Sequence, residues 1–179
     1  PPEGFTSGHP SPLSREPPMS DRHAATYPSA ASGSGGRVEA LWVKRAHRGP
    51  MDPVDSVILE EGLGIRGNAD QGGWRQVTVI EAEALEALTE RLGADVPPIL
   101  RRANVMVRGV RLAGCRGKRL HLGRCQIEMR GETMPCERMD EAVPGLREAM
   151  RDDWAGGAFG RGLVDGEVRV GDVARLEEG

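Results

Sequence analysis

Cys136 stands in Met134-Pro135-Cys136-Glu137-Arg138-Met139, a short polar stretch between a strand-like run and a helix-like one. The proline stiffens the approach to the sulfur, and Arg138 brings a positive charge that favours a thiolate over a thiol. A free cysteine ionises at about pH 8.5, and cationic neighbours lower that enough to make it a nucleophile or a soft metal ligand. Because free cysteines are often just small buried hydrophobes, the segment needs support from the rest of the chain. That support lies upstream, in three arginine-bearing segments, the first rich in glycine: Glu61-Gly62-Leu63-Gly64-Ile65-Arg66-Gly67, Arg75-Gln76-Val77-Thr78, and Arg102-Ala103-Asn104. A guanidinium grips phosphate or carboxylate with two parallel hydrogen bonds, and Gly62, Gly64 and Gly67 let the backbone turn tightly beside a ligand.

The other two cysteines read differently. Cys125 alternates with Ile127 and Met129 and belongs to a core strand, whereas Cys115, flanked by glycine and arginine, reads as an exposed turn. Three cysteines suggest no disulfide framework, and a reducing, cytoplasmic setting is expected. No HExxH, HxxxH or CxxC zinc pattern occurs. The 24 basic and 27 acidic residues give a net charge of -3, which argues against a nucleic-acid binder built on a basic face. One Tyr, two Phe and three Trp are too few for a strand-long stacking platform. No run approaches the ~18 apolar residues that would cross a bilayer, and the opening residues lack a secretory pattern, so neither membrane nor nucleic acid is expected as a partner.

These residues must be positioned by the elements between them. Residues 1 to 36, rich in Pro, Ser, Gly and Ala, are expected to be a disordered tail, its first part foreign to the natural chain if Met19-Ser20 marks the natural start. Residues 37 to 179 are expected to form a single domain. Val38 to Val43, Val57 to Glu60, Gln76 to Ile80, Val105 to Val107, Arg119 to Leu122 and Cys125 to Met129 read as strands. Glu167 to Leu176 reads as a closing hairpin. The clearest helix is 81 to 92, with Leu85, Leu88 and Leu92 at helical spacing and Gly93 as its stop. A short helical turn is expected at 98 to 102 and a helix at 144 to 150. Short strands outnumber helices, so the fold class is mainly β: a small mixed or antiparallel β-barrel with two or three peripheral helices.

The ordered set of segments resembles the MOSC domain family, the group related to the C-terminal part of molybdenum cofactor sulfurases. The resemblance runs from about Val38 to Leu176. It rests on the three segments above together with Gly117-Lys118-Arg119-Leu120-His121-Leu122-Gly123, Pro135-Cys136-Glu137-Arg138-Met139, Pro144-Gly145-Leu146 and Val170-Gly171-Asp172-Val173. It implies a barrel-like fold and a pocket for molybdenum cofactor (molybdopterin), held stably or only in transit. Cys136 would be the metal-ligating or sulfur-carrying (persulfide) residue, and Arg66, Arg75, Gln76, Thr78, Arg102, Asn104 and Arg138 would hold the anionic pterin. It also implies a partner, either a cysteine desulfurase-like sulfur donor or a redox protein. Two departures stand out. Many relatives have Asp-Arg-His where this chain has Ile65-Arg66-Gly67, and many have a second cysteine where this chain has Thr133. The alternatives are therefore a component of a molybdenum-dependent reductase of N-hydroxylated compounds, and a non-enzymatic carrier that keeps the fold without the chemistry.

Overall fold

The computed structural model describes residues 36–177. The expectation that residues 1 to 36 form a disordered tail falls, apart from Gly36, outside the described residues.

The first strand, β1 (Arg37–Lys44), shows how patterning sets register. Val38, Leu41 and Val43 face one core while Ala40 and Trp42 face another. Strict alternation cannot place both Val38 and Leu41 on one face. The pairing of β1 with β6 (Val105–Arg108) accordingly slips between Val38 and Ala40, a bulge that restores the correct face. Next come β2 (Met51–Val54), β3 (Ser56–Glu60), β4 (Gly64–Ile65) and β5 (Val77–Glu81). A helix, α1 (Ala82–Leu92), links β5 to the parallel strand β6, since a parallel pair needs a crossover rather than a hairpin. Gly93, left-handed at φ 58°, ends the helix as expected. Leu85 and Leu88 are buried and Leu92 is partly so.

The second half carries β7 (Arg119–Leu122), β8 (Cys125–Glu132), α2 (Arg138–Ala142), α3 (Leu146–Ala149), β9 (Ala158–Val164), β10 (Gly166–Arg169) and β11 (Ala174–Leu176). Eight strands form one sheet in the order β11-β7-β8-β9-β5-β6-β1-β2, and β10-β3-β4 form a second. Every pairing is antiparallel except β5 with β6.

This corrects the expectation of a barrel. The mainly β composition with peripheral helices holds, but neither sheet is closed: the large one runs from β11 to β2 as an open row. Its ends approach at an isolated bridge, Arg37 to Val173, and at turn hydrogen bonds such as Val38 N–H to Asp172 C=O (2.8 Å), with no ladder. Physically, β11 is too short to pair along β1, and β2 already occupies the other side of β1. Sequence patterning specifies which face of a strand is buried, not which edges pair.

Two cores result. One lies between the sheets: Val57, Leu59, Ile65 and Val168 of the small sheet pack against Val77, Val79, Val107 and Ile127 of the large one. The other lies under the helices, where Leu85, Leu88, Met139, Leu146 and Met150 cover Trp42, Ile80 and Met106. Among the described residues no helix is long and apolar enough to cross a membrane.

Candidate functional site

Cys136 follows β8 on the short link into α2, and of the three cysteines it alone is exposed. Its backbone C=O accepts the Met139 N–H at 3.0 Å, which fixes the sulfur's anchor point against the start of α2. Cys125 is buried, as its alternation predicts, and burial pushes its thiol up. Cys115 is fully buried instead of lying in an exposed turn, and loss of hydration raises its thiol to about 11. Arginine and glycine close to it in sequence suggested exposure, but the sulfur points into the inter-sheet core while Arg116 stays outside.

The link carrying Cys136 is held from beneath. Thr133 N–H donates to Gly157 C=O at 2.9 Å, and Gly156 lies so close to the Thr133 carbonyl that no side chain fits there. The same 155–156 backbone receives a buried arginine. Arg101 Nη2 donates to Gly156 C=O at 2.9 Å and Nη1 to Ala155 C=O at 3.3 Å. Arg101 is only 8% exposed, and its Nε has no partner. Burial pushes its guanidinium down to about 10, still cationic at neutral pH, while negative charge at Cys136 pushes it back up. Thr133 Oγ1 is likewise buried without a partner. The exposed sulfur is thus carried on a link whose supporting backbone holds a buried positive charge, and the orphaned Thr133 hydroxyl belongs to the same link.

Arg101 escaped sequence reasoning because it belongs to the 3-10 turn Pro98–Arg101, whose three-residue period puts it on the Pro98 side. The signal was Pro97-Pro98, which fixes where that turn starts. Its neighbour Arg102 terminates the turn at φ 53° and donates from Nη2 to Gly49 C=O at 2.7 Å. Arg102 thus ties down the loop after β1.

Asn104 and Thr78 come together, as part of one buried network. Asn104 Oδ1 accepts from the Thr78 N–H (3.2 Å) and hydroxyl (3.0 Å); its Nδ2 donates to Trp42 C=O (3.2 Å) and Asn68 Oδ1 (3.1 Å). Both amide hydrogens are spent inside the protein. Gln76 is buried too, donating to Gly62 C=O at 2.7 Å and accepting from Gly162 N–H at 3.1 Å, so it joins the glycine-rich loop to β9. Arg66 is exposed and paired with Glu60 at 2.8 Å. Arg75, also exposed, lies over the Phe159 ring at 5.0 Å. Arg138 opens α2, exposed and without an ion pair among the described residues. No hydrogen bond links the Cys136 thiol to any of these arginines.

Residues 62–175 match the family model described as MOSC domain. No curated protein matches the chain. Among solved structures, the fold is similar to the YUAD protein from Bacillus subtilis (TM-score 0.68, 19% identity, covering 78% of this chain and 93% of that one). It is similar also to YiiM from Geobacillus stearothermophilus (TM-score 0.65, 18% identity, 80% and 75% covered) and to YiiM from Escherichia coli (0.60, 15%, 80% and 70%). At these identities the likeness is one of fold.

Proposed function

The chain belongs to the MOSC domain family, and from that premise we propose that it binds molybdenum cofactor, or a related sulfurated species, through the Cys136 sulfur. The observation that carries this reading is that the one exposed thiol lies on a link that also bears the orphaned Thr133 hydroxyl and whose supporting backbone holds the buried Arg101, with its Nε unpartnered. These residues fit the group: a soft sulfur suits molybdenum, and a buried cation with a spare donor suits the negative charge of a metal-bound thiolate or a persulfide. When bound, the cofactor supplies the redox or sulfur-transfer chemistry. This chain's own part is to hold its sulfur at a fixed point on the rigid 133–136 link, with Arg101 compensating charge from below. Arg75, Arg66 and Arg138, all exposed, are the cations left to meet the ligand's phosphate. Arg102, Asn104, Gln76 and Thr78 contribute by fixing the loops. Thr133 in place of a second cysteine leaves this link with a single thiol, which suits ligation or one-step carriage.

The test is expression in cells supplied with molybdenum, followed by metal and pterin analysis and intact mass of wild type and Cys136→Ser. Wild type should carry metal with pterin, or one added sulfur atom on Cys136, and the variant should carry neither. Equal loading of both proteins, or no adduct on either, would overturn the assignment.

A further inference from the structure

The helices cover one half of a face of the large sheet and leave the other half bare. Trp42, Ile80 and Met106, on β1, β5 and β6, lie under the helix layer. On β9, β8, β7 and β11 the inward residues Ala158, Met129, Ile127, Leu120, Leu122 and Ala174 belong to the inter-sheet core. Successive side chains of a strand point to opposite faces, so the residues between these point to the helix side. The helix-side core takes none of them. Cross-strand neighbours on this bare half are Arg175 with His121, Arg119 with Glu128, and Glu128 with Arg161.

Guanidiniums outweigh carboxylates here. Glu128 stands between Arg119 on β7 and Arg161 on β9, and lies 2.9 Å from Arg130 on its own strand. Glu177, just past β11, is a second carboxylate, but it comes no nearer than 3.9 Å to Arg119 and 3.7 Å to His121. Arg161 and Arg175 are exposed and form no ion pair among the described residues; Arg175 only approaches His121 Nδ1, at 3.4 Å. A face that served solubility alone would intersperse and match its charges. This one leaves positive charge unmatched in a chain whose net charge is -3.

We infer that this bare half-face is a docking surface for an acidic protein partner, whose carboxylates pair with Arg119, Arg161 and Arg175. Arginine, rather than lysine, suits this because its planar fork meets a carboxylate with two parallel hydrogen bonds. The interleaved Glu128 and Glu177 would oppose a phosphate backbone, and no aromatic ring stands among these cross-strand pairs for bases to stack on. A second copy of this chain is a poor occupant, since a two-fold contact would set the same positive excess against itself. Four strands at ~4.8 Å spacing and at most ~27 Å long offer ~400 Å² of flat face. That is about half of what each partner gives to a standard stable interface, so the contact is weak, transient and steered by charge. It uses neither the Cys136 sulfur nor Arg66, Arg75 and Arg138, and stands independently of the cofactor reading above.

A fluorescently labelled poly-L-glutamate peptide is the probe, read by anisotropy against the full chain. A protein of net charge -3 repels a polyanion as a whole, so binding reports a local surface. At ~50 mM salt, binding should saturate below about 1 mM protein. At ~500 mM, where the screening length falls to ~4 Å, it should weaken at least ~10-fold. Arg161→Glu and Arg175→Glu should each weaken it by ~5-fold or more. Arg161→Gln and Arg175→Gln remove the charge without reversing it and should cost ~2-fold each, which keeps the test open if a reversed charge prevents folding. Arg91→Glu makes the same charge change on the exposed side of α1 and should bind like wild type, as should Cys136→Ser. Equal losses in Arg91→Glu and Arg161→Glu, salt-independent binding, or no saturation would each overturn the assignment. So would a short single-stranded oligonucleotide binding more than ~10-fold tighter than the peptide, which would point to a nucleic-acid strand instead.

Discussion

Asn104→Ala is the most informative single change for separating scaffold from ligand contact in this protein. The side chain is 5% exposed and makes four hydrogen bonds, to Thr78 twice, to Trp42 and to Asn68. Truncation strands the Thr78 amide and removes one partner each from the Trp42 carbonyl and Asn68 Oδ1. The latter keeps its bond from the Lys44 N–H at 2.9 Å, and the Thr78 hydroxyl keeps the donation it receives from the Asn104 N–H at 3.0 Å. Counting two donors left without an acceptor, the Thr78 amide and hydroxyl, and two weakened acceptors gives a loss of about 3 kcal/mol. For a chain of this size that is a fall of about 9 °C in the unfolding midpoint. Urea denaturation followed by circular dichroism measures it directly. A double-mutant cycle with Asn68→Ala should show about 1 kcal/mol of coupling, because the two amides share a bond. Asn104→Asp provides a sharper control: it keeps the acceptor toward Thr78 but sets a carboxylate against Trp42 C=O and Asn68 Oδ1, so it should be no more stable than the alanine variant at neutral pH. A loss below about 0.5 kcal/mol for Asn104→Ala would refute the view that this amide is structural and return it to the ligand.

Other expectations follow from the same geometry. Iodoacetamide should modify Cys136 first in the native protein, with Cys115 and Cys125 reacting only on unfolding; mass spectrometry of the modified peptides decides it, and prior reaction of Cys125 would end the sulfur-centred reading. Cys115, neutral and raised to about 11 by burial from an ordinary 9.0, keeps its proton in the folded state while the unfolded chain releases it. Its stability contribution is therefore complete below pH 9 and lost as pH rises toward 11, and Cys115→Ala should flatten that part of the stability profile. Glu86 runs the opposite way. The hydrogen bond from Arg108 lowers its carboxyl below 4.5, so its contribution is present above that pH and disappears on acidification, and Glu86→Gln should reduce the acid-side slope of urea midpoints. Gly156→Ala places a methyl against the Thr133 carbonyl and should destabilise by at least ~2 kcal/mol while loosening the Cys136 link. Unchanged thermal midpoint and unchanged Cys136 alkylation rate in that variant would refute the support described for the link.

Local features were readable from the residues because local rules govern them. The α1 stripe, its glycine stop and the core position of Cys125 all follow from periodicity and left-handed termination. Exposure of Cys136 followed from its polar, proline-led segment. What escaped was set by long-range pairing. The open order of the large sheet depends on which edges meet, and Cys115 is buried by the strands that close over its turn. The choice between Arg101 and Arg102 turned on a single residue of phase in a 3-10 turn, which composition does not encode.

The small sheet has a consequence for how the chain acquires its structure. Its central strand, β3 at Ser56–Glu60, finds its main partner in β10 at Gly166–Arg169, near the far end of the sequence. During synthesis Val57 and Leu59 must therefore wait, uncovered, until the chain has emerged as far as Arg169. Closing so long a loop is entropically slow, and a high mean sequence separation of contacts retards folding. The β5–α1–β6 unit, by contrast, is built from neighbours and can assemble early. A nascent chain arrested before Gly166 should thus hold an ordered helix-covered half beside a sticky, unfinished half, and would be a natural client of holding chaperones.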